Sequence, residues 1–312
     1  MKPWLAEGQR LIPHLRRDEP LSGRTTLGVG GPAEGWLEAS SVSDLCLAVD
    51  HAQRCGVPWR VIGGGSNVLV PDDGLPGLSI HLAGPLSEAS VDGCVVDAGA
   101  GAALAVACWR GAEAGLSGLE PFTGIPGTVG GAVVGNAGAW GASLWDVIES
   151  VSVLTPDGQA VIPAAEVGSA YRWSGMGGHL VISARLRLRP DDAGAVSDRM
   201  NDYASRRRAS QPICERSAGC VFRNPEPMSA GRLLDEAGCK GMSVGGAVVS
   251  DVHANFIVTS GGARAADVLE LMVRMAGAVE SAFGVCLQPE VVLMGMDWHP
   301  ERELTPGSAS RT

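Results

Sequence analysis

Across 312 residues the chain carries only two tyrosines and four phenylalanines, no Cys-x-x-Cys pair, and fewer basic than acidic side chains, 24 against 34. Each shortage removes a class of function. A formal net charge of -10 excludes a broad nucleic-acid surface, which needs a basic face. Small anions remain open to it, since local amides and a few arginines can hold them. The eight cysteines (Cys46, Cys55, Cys94, Cys108, Cys214, Cys220, Cys239 and Cys286) lack paired spacing and sit mostly in apolar segments. They read as free thiols of a reducing compartment, not as a disulfide framework or a zinc site. The six histidines show no ligand spacing, so no metal is expected. No apolar run approaches the ~20 residues of a membrane helix, and the start, MKPWLAEGQR, has no apolar signal core. A soluble cytoplasmic protein is expected. A Walker-type phosphate loop and a GxSxG nucleophile elbow are both missing. Residues 28–33, GVGGPA, match GxGxxA in letters, but Pro32 and the strand after it do not open a helix, so the dinucleotide fingerprint lacks its setting.

Glycine, by contrast, is plentiful, and 45% hydrophobic residues suffice for sizeable cores. The segment 124–141, GIPGTVGGAVVGNAGAWG, holds no charged side chain. Ile125, Pro126, Val129, Val133 and Trp140 would be wasted in a solvated linker, so the segment is expected to form a smooth wall against a planar cofactor. Residues 36–70 predict strand, helix, strand: Ser41 and Asp44 form a capping box, and Leu45, Ala48, Val49 and Ala52 follow at helical spacing until Gly56 and Pro58. Further helices are expected near 102–114, from the boundary at 190–194 to Ser210, at 228–237 and at 264–283. Strands are expected at 147–154, 180–189, around 255–258 and at 285–294. Pro156, Asp157 and Gly158 supply a hairpin turn, and the 180–189 strand alternates Ile182, Ala184, Leu186 and Leu188 inward with arginines outward. The predicted organisation is 1–80 and 81–190 as two α+β subdomains, 191–298 as a further α+β domain, and 299–312 as a polar, disordered tail.

Four separated segments carry candidate chemistry. Gly63, Gly64, Gly65, Ser66 and Asn67 follow a strand directly, where unhindered amides can converge on a phosphate; a plain tight turn is the alternative. Arg172, set among Tyr171, Trp173 and Ser174, suits bidentate grip of a carboxylate, although a surface salt bridge explains it as well. Cys220 stands beside Gly219 and near Phe222, as a buried structural cysteine would. Glu290 puts one carboxylate into an apolar strand, where it needs either a partner or a chemical task.

These blocks, TTLGVGG (25–31), GGGSNVLV (63–70), GLEPFTGIPGTVGGAVVGNAGAWG (118–141), YRWS (171–174), SAGCVFRNP (217–225), VVSDVHANFIV (248–258) and QPEVVLMG (288–295), resemble in content and order the UDP-N-acetylenolpyruvoylglucosamine reductase family. The resemblance spans roughly 22–296. It implies an FAD-binding fold of the vanillyl-alcohol-oxidase (PCMH) type, two α+β subdomains plus a C-terminal α+β substrate-binding domain, in the shorter branch that lacks a tyrosine-bearing insertion. The implied reaction passes hydride from NADPH through non-covalent FAD to the enolpyruvyl ether of UDP-N-acetylglucosamine, giving UDP-N-acetylmuramate for peptidoglycan. By motif, Arg172 would hold the substrate carboxylate, Glu290 would assist as an acid, and residue 220 would protonate the neighbouring carbon. The family's usual serine is here Cys220, a stronger acid than an alcohol. Gly63, Gly64, Gly65, Ser66 and Asn67 would cradle the FAD diphosphate. Ile125, Pro126, Gly127, Gly130, Gly131, Asn136 and Gly138 would approach its ring and ribityl chain. Tyr171, Arg223 and Asn224 would touch substrate, with Arg207 or Arg208 supplying charge for its diphosphate. A monomer is expected. Two rival readings stay open: an oxygen-using flavin oxidase of the same fold, and a non-catalytic paralogue that binds flavin or nucleotide sugar.

Overall fold

A computed structural model describes residues 2–299, so the tail expected to be disordered falls, from residue 300 onward, outside the described residues. Three sheets of four or more strands organise the chain. The first orders Arg16–Pro20, Pro32–Ala39, Leu75–Leu82 and Trp59–Val61, the last three parallel. Helix α1 (Pro3–Leu11) precedes it, and α2 (Val42–Arg54) makes the crossover between Pro32–Ala39 and Trp59–Val61. The capping box forms as the sequence predicts: Ser41 Oγ accepts from the Asp44 amide at 3.1 Å, and Asp44 Oδ2 accepts from the Ser41 amide at 3.0 Å. Two of the donors that a helix start leaves free are thereby satisfied. Helix α1 has no counterpart in the sequence reading. Pro3 sits in its first turn, where a missing N–H is harmless, and Trp4 and Leu5 are buried.

The second sheet is antiparallel throughout: Gly158–Pro163, Ile148–Thr155, Leu180–Arg187, Val95–Gly99 and Ala89–Asp92. The hairpin closes at Thr155 and Gly158, and the alternation of Leu180–Arg187 holds, with Ala184 and Leu186 buried while Arg185 and Arg187 pair with Glu149 at the surface. Helices α3 (Leu104–Glu113) and α4 (Val129–Val134) pack with it, and one apolar core runs through both sheets from Trp4 to Leu188.

Helix α5 (Ala193–Ser210) starts where Asp192 accepts from the Ala195 amide at 2.9 Å. Arg199 ties it back to buried Glu120 at 2.9 Å and to Asp191 at 2.5 Å. The third sheet, Arg216–Cys220, Phe256–Thr259, Ala247–Val249 and Ser243–Val244, is backed by α6 (Ala230–Glu236) and α7 (Ala265–Phe283). Its core takes in Leu27, Val29 and Leu69 from the first region. Three further links reach the same place: Thr26 Oγ1 donates to the Ser217 carbonyl at 2.5 Å, Asp72 accepts from the Ala265 and Ala266 amides at 2.8 and 3.1 Å, and Val292–Leu293 pairs in parallel with Val68–Leu69.

The strand expected at 285–294 is a correction. Pro289 has no N–H, and the chain there is shared between neighbours. The Arg223 amide donates to the Gln288 carbonyl and the Glu290 amide to the Val221 carbonyl, before Val292–Leu293 turns to the first region.

Candidate active site

The loop at 63–67 leaves the strand Trp59–Val61 and meets the loop around Gly127 backbone to backbone. A Cβ on Gly64 would stand 3.0 Å from Gly127 Cα, and one on Gly127 2.6 Å from Ser66 Oγ. Gly65 is held at φ +62°, where a Cβ would lie 1.9 Å from the Arg24 carbonyl oxygen. Only glycine meets both demands there. Among the described residues, the amides of Gly63, Gly64, Gly65, Ser66 and Asn67 donate no hydrogen bond within the chain's turns and loops. Ser66 Oγ donates to the Pro126 carbonyl at 3.0 Å, and Asn67 Nδ2 to the Glu290 carbonyl at 3.2 Å. Free amides converging at a strand end form an anion cradle.

Segment 124–141 is not the continuous wall that its composition predicts. Thr128 caps α4 by accepting from the Gly131 amide at 3.4 Å, and Val129, Ala132 and Val133 turn into the core. Gly130 lets α4 close on Ala100, where a Cβ would meet another at 2.9 Å, so it serves packing. Asn136, buried with φ +44°, donates through Nδ2 to the Ala170 carbonyl at 2.8 Å and accepts at Oδ1 from Ser143 Oγ at 2.6 Å. Its carboxamide is thereby engaged in fixing the hairpin of Gly138–Ala139 and Ala142–Ser143. Gly138 acts through its carbonyl, as described next, while Gly131 and Pro126 are exposed and Ile125 is half-buried.

Arg172 is brought to the hairpin by an unusual backbone, φ +55°. Its Nε donates to Glu290 Oε1 at 2.5 Å and its Nη1 to the Gly138 carbonyl at 3.0 Å, while the guanidinium lies 5.2 Å over the Tyr171 ring. Burial raises the pKa of Glu290 above the ordinary carboxylate value, against the opposing pull of Arg172 and Arg223. Cys220 ends the strand Arg216–Cys220. Burial, then the charge of Glu290, pushes its thiol up to about 12, opposed by Arg172, Arg207 and a hydrogen bond with Asn255. Arg207 is buried: Nε donates to the Thr123 carbonyl and Nη1 to Gln211 Oε1, both at 3.2 Å. Its Nη2 and the neighbouring Thr123 Oγ1 have no partner. An orphaned buried donor on a cation is expensive and marks the place of an acceptor from outside the chain. Arg208, the alternative in the sequence reading, is exposed.

A cleft of about 530 Å³ opens beside Cys220, lined among others by Asn224, Asp235, Lys240, His253 and Asn255. Asn224 Oδ1 accepts from the Ala230 amide at 3.0 Å, and Lys240 pairs with Asp235 at 2.8 Å. Arg223 is exposed, close enough to Glu290 to favour its charged form. Three residues escaped the sequence reading. Asn255, buried, accepts from the Phe222 amide at 3.0 Å and donates to its carbonyl at 2.8 Å, pinning the chain just after Cys220. His253 and Asn255 lie in the block 248–258, where nothing local distinguishes their roles. Lys240 stands in an unremarkable turn.

Free loop amides, two loops in backbone contact and an orphaned guanidinium fit a cofactor with a diphosphate and a planar ring. A family model described as an FAD binding domain matches residues 33–162, and fold and site together define an FAD-dependent oxidoreductase. A second model, the C-terminal domain of UDP-N-acetylenolpyruvoylglucosamine reductase, matches 211–294. Enzymes of that name from Agathobacter rectalis and Parasynechococcus marenigrum are 42% and 45% identical to this chain, each over 90% of it and over 94% and 96% of their own lengths. The crystal structure of the reductase from Thermus caldophilus superposes with a TM-score of 0.80 at 39% identity, covering 89% of this chain and 99% of the other. The chain belongs to the UDP-N-acetylenolpyruvoylglucosamine reductase family.

Proposed function

We propose that the chain reduces UDP-N-acetylglucosamine enolpyruvate to UDP-N-acetylmuramate with electrons from NADPH, in peptidoglycan synthesis, and that Arg172, Glu290 and Cys220 carry the chemistry. FAD, bound non-covalently, would supply the redox chemistry between NADPH and the terminal alkene carbon. The amides of Gly63, Gly64, Gly65, Ser66 and Asn67 would hold its diphosphate, with Gly127 giving the loop room.

The remaining chemistry belongs to side chains. Adding hydride and a proton across the alkene makes two C–H bonds at the expense of one π bond, and charge develops on the substrate carboxylate between the two events. Arg172, preorganised by Gly138, would neutralise that charge, and Glu290, held against the guanidinium at 2.5 Å with its pKa raised by burial, would assist it. Cys220 gives the proton to the carbon beside the carboxylate, and the resulting thiolate is reprotonated from water in the cleft before the next turnover. With a thiol pKa of about 12 the donor is loaded throughout the neutral range. The nucleotide end of the substrate would lie along the cleft, with Lys240 and Asn224 toward the diphosphate. Tyr171 and Arg223 stand at the exposed rim. A cytoplasmic monomer is part of the same reading, and among the described residues no helix is long and apolar enough to cross a membrane.

The observation that carries this reading is the convergence of Arg172, Glu290, Cys220 and Arg207, from four distant segments, beside the free amides of 63–67. The purified protein is expected to be yellow, and its NADPH oxidation to require the enolpyruvyl nucleotide. Oxidation that needs only oxygen would favour an oxidase, and binding without turnover a non-catalytic paralogue.

Glu290→Gln separates activity from stability. A carboxyl whose pKa is raised by folding costs nothing below its unfolded value of about 4.3 and weakens the fold increasingly as pH climbs above that, until it ionises in the folded state too. The glutamine variant is therefore expected to show an unchanged or higher Tm at pH 7 and a flatter fall of Tm between pH 5 and 8. Its kcat should drop about 10²-fold. A Tm lowered by several degrees at neutral pH would mean that the ion pair with Arg172 outweighs the burial of the charge.

A further inference from the structure

We propose that Glu7, His51 and Cys55 form a binding site for a zinc-type divalent cation, clipping α1 to α2. None of the three belongs to the flavin and substrate site. The Glu7 carboxylate, a His51 ring nitrogen and Cys55 Sγ all lie within 4.8 Å of one another. His51 and Cys55 are one turn apart on α2 and so share a face, and Glu7 is presented from α1 packed across it. A tetrahedral zinc, with bonds of about 2.0 to 2.3 Å, holds its ligand atoms roughly 3.5 Å apart. Contraction by about 1 Å, within the rotamer freedom of the exposed Glu7 and Cys55, closes the site.

The histidine is already set for that task. His51 is 1% exposed, and its Nε2 lies 2.8 Å from the Trp4 carbonyl oxygen and donates there, so Nδ1 is the nitrogen left for a ligand. A backbone carbonyl holding one ring N–H is how ligating histidines are oriented. Cys55 Sγ stands 4.0 Å from each ring nitrogen, a long contact that puts the sulfur and the ring within reach of one ion. Gly8 lets α1 come down on the ring: a Cβ there would be 3.0 Å from Nε2. One nitrogen, one sulfur and one oxygen, with a fourth position open to water, suit zinc better than calcium or magnesium, which prefer oxygen throughout. The spacing of cysteines and of histidines along the chain points to no metal. Here the pair is His-x-x-x-Cys, and the third ligand comes from another helix.

The test is equilibrium dialysis and calorimetry of the FAD-loaded protein with zinc chloride under reducing conditions, with cobalt(II) as a spectroscopic substitute read at wavelengths beyond the flavin bands. Wild type is expected to take up one equivalent at micromolar concentration, to gain Tm with metal, and to give tetrahedral cobalt bands. Cys55→Ser and Glu7→Gln should each weaken binding at least tenfold without altering reductase activity, and both sites are exposed enough to change without emptying the core. Cys214→Ser and Cys286→Ser, at other exposed thiols, should leave it unchanged. Absence of a stoichiometric site, or uptake that survives Cys55→Ser, overturns the proposal.

Discussion

Cys220→Ala is expected to leave flavin bleaching by NADPH at its normal rate and to slow reoxidation by the enolpyruvyl nucleotide about 10²- to 10⁴-fold, the usual worth of a positioned proton donor. Rapid mixing with each substrate separately resolves the two halves. The expectation rests on where the thiol sits: at the end of Arg216–Cys220, walled in beside Arg172, Glu290 and Asn255, and protonated until pH nears 12. Cys220→Ser should keep substantial activity, because a hydroxyl can occupy the same place and deliver one proton. Wild-type turnover should lack an alkaline limb attributable to this thiol below pH 10. Normal reoxidation in the alanine variant would remove Cys220 from the mechanism.

The second large effect is expected of Arg172→Lys. A guanidinium can hold the Glu290 carboxylate through Nε and the Gly138 carbonyl through Nη1 at once, because its donors are fixed in a plane. An ammonium is a point charge on a flexible stem and would satisfy one partner at most. Loss of a preorganised donor of this kind lowers kcat/KM for the nucleotide by about 10²- to 10³-fold. Flavin reduction by NADPH should stay within twofold of wild type, since no substrate carboxylate is involved in it. If both half-reactions slowed equally, Arg172 would be holding the flavin site together and not the substrate.

Much of this site could be read from the chain because its parts are local. The 63–67 loop announces itself by glycines placed directly after a strand, and the Ser41 capping box and the arginine alternation of Leu180–Arg187 obey short-range periodicities. What escaped depends on contacts between distant residues. Asn136 stands among glycines, and its carboxamide is held by Ala170, 34 residues on, and by Ser143, across the following hairpin. Composition alone could not show that 124–141 contains a helix, since Thr128 makes the cap and the apolar face of Val129, Ala132 and Val133 needs a core to turn toward. The choice between Arg207 and Arg208 is a matter of helix phase against Thr123 and Gly124, which no local pattern encodes. The strand predicted at 285–294 failed because alternation says nothing about which neighbour each residue will find.

The parallel pairing of Val292–Leu293 with Val68–Leu69 gives the enzyme an internal ruler. Asn67, last residue of the amide cradle, binds the carbonyl of Glu290 and lies one step from that pairing, so cradle and acid are two points on a single stiff splice. Arg172 reaches the same spot from the turn of a separate two-stranded hairpin, Ser169–Ala170 with Trp173–Ser174. Any slip of one residue along the splice would carry Glu290 away from the guanidinium. Evolution can therefore remodel the nucleotide cleft freely, but it cannot lengthen or shorten the chain between Asn67 and Leu69, or between Glu290 and Leu293, without uncoupling catalysis from cofactor binding.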